Sequence, residues 1–187
     1  DAGAKRIRVL LKKGGLGEVT VIDDGCGISP GELRMAIQRH ATSKIRNLED
    51  LQDVLSLGFR GEALPSIASI SKMSITSRQS GDEAGTRIYL EAGIEKGYGG
   101  IGFPVGTKVT VKSLFFNTPA RRKFLKGIPA ETAKISRIMQ TLALSRPEVF
   151  FSLERERGIL WSTAGDGNLK NTILTLFGHG LCGQLIP

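Results

Sequence analysis

The segment at residues 58–64, Gly-Phe-Arg-Gly-Glu-Ala-Leu, combines residue types that suit the binding of a phosphate. Gly58 and Gly61 allow backbone conformations that other residues avoid, and they permit close approach to a ligand. The apolar run that follows predicts a helix over 62–71, and a helix N-terminus offers unpaired N–H groups and a positive dipole end to an anion. The pattern indicates a phosphate-binding turn. A helix C-cap at Gly58 followed by a surface turn is the open alternative.

A second candidate is the run Asp-Asp-Gly-Cys-Gly at residues 23–27, at the end of a predicted strand. An ionised carboxylate only accepts hydrogen bonds, so Asp23 at the floor of an apolar pocket can bind an exocyclic amine such as that of adenine. Gly25 and Gly27 would let the chain turn away and let a flat base come close. A simple Asp-Gly turn at a strand end is the alternative reading.

Two other nucleotide motifs are excluded. The spacing Gly25-x-Gly27-x-x-x-Gly31 differs from the dinucleotide-binding fingerprint by one residue. That fingerprint also follows the strand of a βαβ unit, whereas the strand here belongs to a predicted hairpin. The sequence has no Gly-Lys dipeptide, so it has no P-loop. Residues 42–44 are weaker candidates: their hydroxyls and amine suit contact with phosphate, but a polar helix end is the more frequent explanation. Thr107 opens a predicted strand and is uninformative alone.

The elements that must position these residues follow from apolar periodicity and turn signals. Alternation predicts strands at 6–11 and 18–23, joined by a glycine-rich hairpin loop. Ser29 and Glu32 form a capping box that starts a helix. Further strands are predicted at 73–78, 86–91, 107–114, 149–155 and 158–164, further helices over 48–55, 129–145 and 168–178, and a glycine-rich loop over 93–102. These elements predict an α+β two-layer sandwich, with a mixed, mostly antiparallel sheet and helices on one face.

Composition limits the classes of function. The 187 residues are 40% hydrophobic, which suits one globular domain, and no apolar run is long enough to span a membrane. Two cysteines and two histidines give neither a disulfide framework nor a metal-ligand set, which favours a reducing cytoplasm. The net charge of +8 suits a polyanionic partner such as DNA, and its densest patch is Arg121-Arg122-Lys123.

In this order the motifs resemble the ATP-binding domain shared by DNA gyrase, the heat-shock chaperones, sensor histidine kinases and the MutL mismatch-repair proteins. Within that superfamily the sequence is similar to the bacterial MutL family, whose domain has a Bergerat-type ATP-binding fold. The resemblance covers almost the whole chain. It is carried by residues 1–4, 24–28, 39–45, 57–64 and 116–124.

The resemblance assigns roles to particular residues. It implies that Asp23 binds the adenine amino group, that residues 42–44 lie in a lid over the nucleotide, and that residues 58–64 wrap the phosphates. The implied ATP-binding set is Asp23, Gly25, Gly27, Thr42, Ser43, Lys44, Gly58, Phe59, Arg60, Gly61, Glu62, Ala63, Leu64 and Thr107. A contact of Arg121, Arg122 and Lys123 with DNA is a further expectation.

The resemblance also implies an activity, which is hydrolysis of ATP with Mg²⁺. In the family the general-base glutamate and the Mg²⁺-binding asparagine precede an Asp-Ala-Gly-Ala motif, and in this sequence that motif begins at Asp1. Both roles are therefore expected upstream of Asp1, and neither is assigned to a residue here. We expect 1–178 to be an ATP-binding domain without its first helix, inactive alone. Residues 179–187 are expected to begin a connection to a second domain.

The partners implied by the resemblance are DNA, a MutS-type mismatch-recognition protein and a second copy of the chain. ATP would order the lid and close a homodimer around DNA in the cytoplasm, near the nucleoid, with no membrane partner. The alternative from a different class is a DNA-binding scaffold that does not depend on nucleotide. A salt-dependent DNA affinity that is indifferent to ATP would support that alternative.

Overall fold

The computed structural model of the protein describes residues 2–38 and 62–178. Within these ranges eight strands and five α-helices follow one another along the chain. The strands are β1 (Arg6–Lys12), β2 (Glu18–Asp23), β3 (Lys72–Arg78), β4 (Gly85–Glu91), β5 (Ile94–Ile101), β6 (Gly106–Lys112), β7 (Phe150–Arg155) and β8 (Gly158–Ser162). The helices are α1 (Pro30–Met35), α2 (Ala63–Ser69), α3 (Pro119–Arg122), α4 (Ile128–Ser145) and α5 (Leu169–Phe177).

The strands form one sheet in the order β5-β4-β3-β6-β2-β1-β7-β8. The β1–β7 pair is parallel, and the other neighbouring pairs in this sheet are antiparallel. Neighbours in sequence therefore pair as hairpins at both ends of the sheet, while β6 returns to the centre between β3 and β2. The predicted α+β class with a mixed, mostly antiparallel sheet is confirmed.

The helices cover one face of this sheet. Residues paired across strands share a face, and one such row runs through Ile88, Ile75, Val109, Val21 and Val9. Part of this face packs against α1 and α2 around Leu33 and Ala68, and the β1–β7 part packs against α4 around Met139 and Ala143. The apolar face and its helices thus make the two layers that the sequence predicted.

The opposite face of the sheet is polar and carries many cations. Arg87, Lys108 and Arg8 share the row adjacent to the apolar one, on alternate strands. Arg8 is paired with Glu154, with Nε 2.9 Å from the carboxylate. Short hydroxyl side chains such as Thr20 and Thr110 fill the space between the long ones, with their oxygens 3.1 Å apart.

The N-terminal predictions hold in detail. Strands β1 and β2 pair antiparallel from Ile7 opposite Asp23 to Lys12 opposite Glu18. Helix α1 begins at its predicted cap, where the Ser29 hydroxyl oxygen accepts the Glu32 N–H at 3.3 Å and the hydroxyl donates to the Glu32 carboxylate at 2.6 Å. The predicted helix over 48–55 lies outside the described residues.

The predicted loop over 93–102 is wrong, because this segment is the edge strand β5. Ala92 and Gly93 have φ of 53° and 80°, which is the geometry of a tight two-residue hairpin turn. The strand is also tied to α1, since Arg34 pairs with Glu95 at 2.8 Å and its guanidinium lies 4.0 Å from the centre of the Tyr98 ring. Cross-element contacts override the low strand propensity of the glycines.

The C-terminal predictions agree with the structure except for one helix. Helices α4 and α5 occupy the predicted positions, and the Asn168 side chain caps α5 by accepting the Asn171 N–H at 3.2 Å. The short helix α3 was not predicted, although Pro119 at its first position is a typical start signal. Among the described helices none is long and apolar enough to cross a membrane.

Candidate nucleotide-binding site

Three strands bring polar side chains into one row at an end of the sheet. Asp23 is the last residue of β2 and lies opposite Thr107 of β6, which lies opposite Ser77 of β3. These residues lie on the apolar face of the sheet, at the end where its apolar side chains give way to polar ones. The sequence predicted Asp23 and Thr107 as site residues, and the strand register places them side by side.

Asp23 is half-buried and held by backbone donors. Its Oδ1 accepts the Gly25 N–H at 2.9 Å, and the Thr107 N–H also donates to the carboxylate. Burial raises the pKa of Asp23 above its ordinary value, the two backbone hydrogen bonds oppose that shift, and the neighbouring Asp24 charge adds to it. A carboxylate has about four acceptor positions. Two backbone bonds therefore leave capacity for a donor from a ligand.

Ser77 is the residue of this row that the sequence analysis missed. It is buried, with 1% of its surface exposed, and its hydroxyl lies 2.8 Å from the Thr107 hydroxyl. The same oxygen accepts the Ile28 N–H at 2.8 Å, and the hydroxyl also lies 2.9 Å from the Gly106 carbonyl oxygen. Ser77 thus fixes the loop after Asp23 to β3 and β6. Its only signal in the sequence is a serine at an inward position of a strand.

The two neighbouring aspartates have different tasks. The Asp24 carboxylate accepts the backbone N–H groups of Lys5 and Arg6, each at 2.8 Å. The Cys26 N–H donates to the Ala2 carbonyl oxygen at 2.9 Å. Asp24 therefore ties the start of the described chain to the loop, and Asp23 is the carboxylate of the polar row.

Two glycines in this region are required by backbone packing. Gly27 has φ of 78°, and a Cβ there would collide with the carbonyl oxygen of Arg78. Gly106 has φ of 124°, and a Cβ there would collide with the carbonyl oxygen of Asp23. Gly25 is buried and supplies the N–H that holds Asp23. These glycines let three chain segments meet closely around the carboxylate.

The predicted phosphate-binding segment is described only at its end. Glu62 occupies the N-cap position of α2, Ala63 is the first helical residue, and Leu64 packs against the cluster around Leu33. Pro65 is buried in the first turn of the helix. The remaining predicted ATP contacts lie outside the described residues, and these are Thr42, Ser43, Lys44, Gly58, Phe59, Arg60 and Gly61.

The basic segment predicted to contact DNA is not part of this polar row. Arg121 and Arg122 belong to α3 and Lys123 follows it, and all three side chains are exposed. They follow the far end of β6, five residues beyond Thr107, and five strand residues span roughly 17 Å. The structure therefore separates the Asp23 row from the basic segment by about the length of a strand.

Across residues 2–38 and 62–178, no group of three His, Cys, Asp or Glu side chains could hold a metal ion. Two backbone N–H donors hold the Asp24 carboxylate, and two others hold the Asp23 carboxylate and leave part of its acceptor capacity free. The site as described is a place for a neutral hydrogen-bond donor beside an apolar wall.

The catalytic and metal-binding roles were expected from residues that precede the motif beginning at Asp1. Asp1 itself lies outside the described residues, and the motif is described from Ala2 onward, where the Ala2 carbonyl oxygen accepts the Cys26 N–H. The placement of a general-base glutamate upstream of Asp1 therefore stays a prediction. The placement of a Mg²⁺-binding asparagine upstream of Asp1 stays a prediction as well.

Comparison with known proteins places this fold and site in a class. Residues 1–99 match the family model described as "Histidine kinase-, DNA gyrase B-, and HSP90-like ATPase". This match spans more than half of the chain and includes Asp23 and the 58–64 segment. The chain therefore belongs to the histidine kinase-, DNA gyrase B- and HSP90-like ATPase family.

Within this family the chain is similar to MutL proteins along its whole length. It is 47% identical to the DNA mismatch repair protein MutL of Desulforudis audaxviator over 187 residues, which is 100% of this chain and 33% of that protein. It is 48% identical over 178 residues to MutL of Desulforamulus reducens, covering 95% of this chain and 28% of that protein. The predicted resemblance is confirmed, and the chain spans a third or less of these relatives.

A solved structure supports the same assignment. The Aquifex aeolicus MutL ATPase domain complexed with ADP superposes with a TM-score of 0.73 at 34% sequence identity. The match covers 95% of this chain and 62% of that chain. The fold described above is thus the fold of a MutL ATPase domain.

Proposed function

We propose that this chain is the ATP-binding switch domain of a MutL-type mismatch-repair protein, with Asp23 as the residue that selects adenine. The observation that carries the proposal is the Asp23–Thr107–Ser77 row, in which a half-buried carboxylate keeps acceptor capacity beside an apolar wall. The related Aquifex aeolicus domain has been solved with ADP, which supports a nucleotide as the ligand.

Recognition in this site rests on hydrogen bonding. The Gly25 and Thr107 N–H groups keep the Asp23 carboxylate in place, so its remaining acceptor positions meet the exocyclic amine of adenine. A guanine base has a carbonyl oxygen at that position and would leave the carboxylate facing an acceptor. Such a mismatch of buried polar groups is costly. Asp23 therefore orients the base and excludes guanine.

The phosphates are proposed to lie along the segment that leads into α2. Glu62, Ala63 and Leu64 belong to this segment, together with Gly58, Phe59, Arg60 and Gly61. Thr42, Ser43 and Lys44 are proposed to cover the nucleotide as a lid. Support for these assignments comes from the family match over residues 1–99, which includes both segments.

In the whole protein we propose that ATP hydrolysis serves as a switch. Nucleotide binding would order the lid and favour pairing of two copies around DNA, so that binding energy shifts a population of open and closed states. Mg²⁺ would accompany the nucleotide phosphates, and a MutS-type protein would be the mismatch-recognition partner. The MutL names of the relatives support this role.

We also propose that the exposed cations Arg121, Arg122 and Lys123 contact the DNA backbone. Exposed arginine and lysine side chains suit phosphate oxygens, and such contacts carry no sequence information. The net charge of +8 supports a polyanionic partner. A DNA-binding scaffold independent of nucleotide explains this charge equally well, but it leaves the polar row at Asp23 unexplained.

The experiment that tests the proposed function compares two nucleotides that differ at one group. Amide chemical shifts of the ¹⁵N-labelled protein are followed during titration with ATP and with inosine triphosphate, which lacks the exocyclic amine. We expect ATP to shift the Gly25 and Thr107 amides and inosine triphosphate to bind at least about tenfold more weakly. Equal binding of the two nucleotides would overturn the role of Asp23. Absence of any shift at these amides would overturn the nucleotide site.

A further inference from the structure

A second depression lies at the opposite end of strands β2 and β6 from Asp23. Its volume is about 510 Å³, within the range of small-ligand pockets. Residues of the β1–β2 loop, the segment after β6 and the chain after α3 line it. Its apolar floor includes Leu16, Leu114 and Leu125, and its rim carries Lys13, Arg122 and Lys126.

The rim of this depression is cationic. No carboxylate lines it, and within the described residues none forms an ion pair with the side chains of Lys13, Arg122 or Lys126. Two carboxylates lie nearby without lining the depression: Glu131 accepts the Lys126 backbone N–H at 2.9 Å and pairs with Lys134 at 3.1 Å, and Glu156 accepts the Lys13 backbone N–H at 3.4 Å. The depression therefore offers three cations around an apolar floor.

The backbone of this region is strained where the depression is formed. Within residues 2–38 and 62–178, four non-glycine residues have positive φ, and three of them are Lys13 (49°), Ser113 (51°) and Phe115 (64°). Lys13 and Ser113 line the depression, and Phe115 lies between the lining residues Leu114 and Phe116. Such conformations each cost free energy and persist where the surrounding structure fixes them, often at ligand sites.

We propose that this depression is a docking site for an acidic peptide segment that carries one large apolar side chain. The leucines of the floor receive the apolar side chain, and the cations of the rim pair with the peptide carboxylates. The proposed DNA contact of Arg122 uses backbone phosphates alone, and a nucleic-acid strand makes little use of the leucine floor, because bases stack on aromatic faces. The one aromatic residue of the lining, Phe116, already has the Lys72 ammonium 5.6 Å from its ring centre.

The test uses a fluorescent twelve-residue peptide of alternating Glu and Ser with one central Phe, titrated with the protein without nucleotide. Matched peptides replace the Phe by Ser or every Glu by Gln, and a twelve-nucleotide oligothymidylate serves as a polyanion without apolar side chains. In the ¹⁵N-labelled protein, the Phe peptide should shift the Gly17 and Ser113 amides. The two matched peptides should each bind at least about fivefold more weakly.

Protein variants locate the binding. Lys126→Glu reverses one rim charge and should weaken the Phe peptide at least about fivefold, while the matched control Lys96→Glu on the exposed edge strand β5 should change it less than about twofold. Both side chains are exposed, so neither change disturbs packing. Equal affinity of the Phe and Ser peptides would overturn the proposal. The proposal would also be overturned if oligothymidylate displaced the peptide and Lys126→Glu weakened the binding of both equally. Absence of binding at 1 mM peptide would overturn it as well.

Discussion

The two ends of strands β2 and β6 present polar groups that are arranged in different ways. At one end, buried hydroxyls and backbone N–H groups fix a single half-buried carboxylate, Asp23. At the other end, Glu18 and Lys112 pair across the same two strands, and the loops beyond them present exposed cations. The first arrangement specifies one chemical group at one position. The second attracts a class of charged partners with little geometric demand.

The largest effect is expected at the Asp23 end. Asp23→Asn removes the charge that we propose accepts the adenine amine, and it introduces a donor in its place. Because charge-assisted hydrogen bonds contribute about 2 kcal/mol, ATP affinity should fall about 30-fold. Titration calorimetry checks this loss. Asp82→Asn, in the turn before β4, makes the same chemical change away from the row and should leave the affinity unchanged. Retention of ATP affinity in Asp23→Asn would contradict the proposed recognition.

The same substitution has an opposite effect on the stability of the ligand-free protein. Burial raises the pKa of Asp23 in the folded state, so the folded chain holds that proton more tightly than the unfolded chain. The contribution of Asp23 is then fully present below its unfolded pKa of about 3.9 and is lost as the pH rises through the folded pKa. Denaturant unfolding from pH 4 upward should show Asp23→Asn gaining stability relative to the parent protein.

The next effect is expected at Ser77, whose hydroxyl joins three groups around the polar row. Ser77→Ala leaves the partly buried Ile28 N–H and the buried Thr107 hydroxyl without their shared partner. Unsatisfied buried groups cost about 1–3 kcal/mol, so the free energy of unfolding should fall by roughly 1.5 kcal/mol. Denaturant titration measures it. Ser74→Ala lies on the opposite face of the same strand and should cost less than about 0.5 kcal/mol. Equal losses of stability in the two variants would show that the hydrogen bonds of Ser77 do not stabilise the polar row.

The comparison of the two ends also explains what the sequence could predict. Asp23 and Thr107 were identified because an acidic residue at a strand end and a Gly-Thr strand start form a recognisable order of motifs. Ser77 was missed because its role depends on the register of β3 with β6, which local sequence does not specify. Strand β5 was missed for a related reason, since its Glu95 and Tyr98 side chains are contacted by Arg34 of helix α1, which is distant in sequence.

At the basic end we expect a moderate and salt-dependent effect. Replacing Arg121 and Lys123 together by Ala removes two proposed phosphate contacts. DNA affinity should then fall on the order of tenfold, and the slope of log affinity against log salt should become shallower by about 2. Fluorescence anisotropy with duplexes of unrelated sequence measures both quantities, and the loss should be uniform across sequences. Lys96→Ala on β5 is the control. An unchanged slope would place the DNA contact elsewhere.

The smallest effect is expected where the two ends are physically joined. The Asn117 side-chain amide donates to the Ser69 carbonyl oxygen at 2.9 Å, and the Phe115 N–H donates to the Ile70 carbonyl oxygen at 2.7 Å. Ser69 is the last residue of α2, which starts in the proposed phosphate segment. The segment 113–118 therefore connects that helix to the basic residues that follow.

Asn117→Ala removes one of these links and retains the backbone bond of Phe115. If nucleotide binding repositions α2, this substitution should reduce by about threefold the ratio of DNA affinities measured with and without ATP. ATP affinity alone should be unchanged. Ser145→Ala, which removes a similar exposed bond to the Leu142 carbonyl in α4, should preserve the ratio. A ratio that is the same in Asn117→Ala and in the parent protein would mean that the two ends act independently, because the shared segment would then be a structural support rather than a route of coupling.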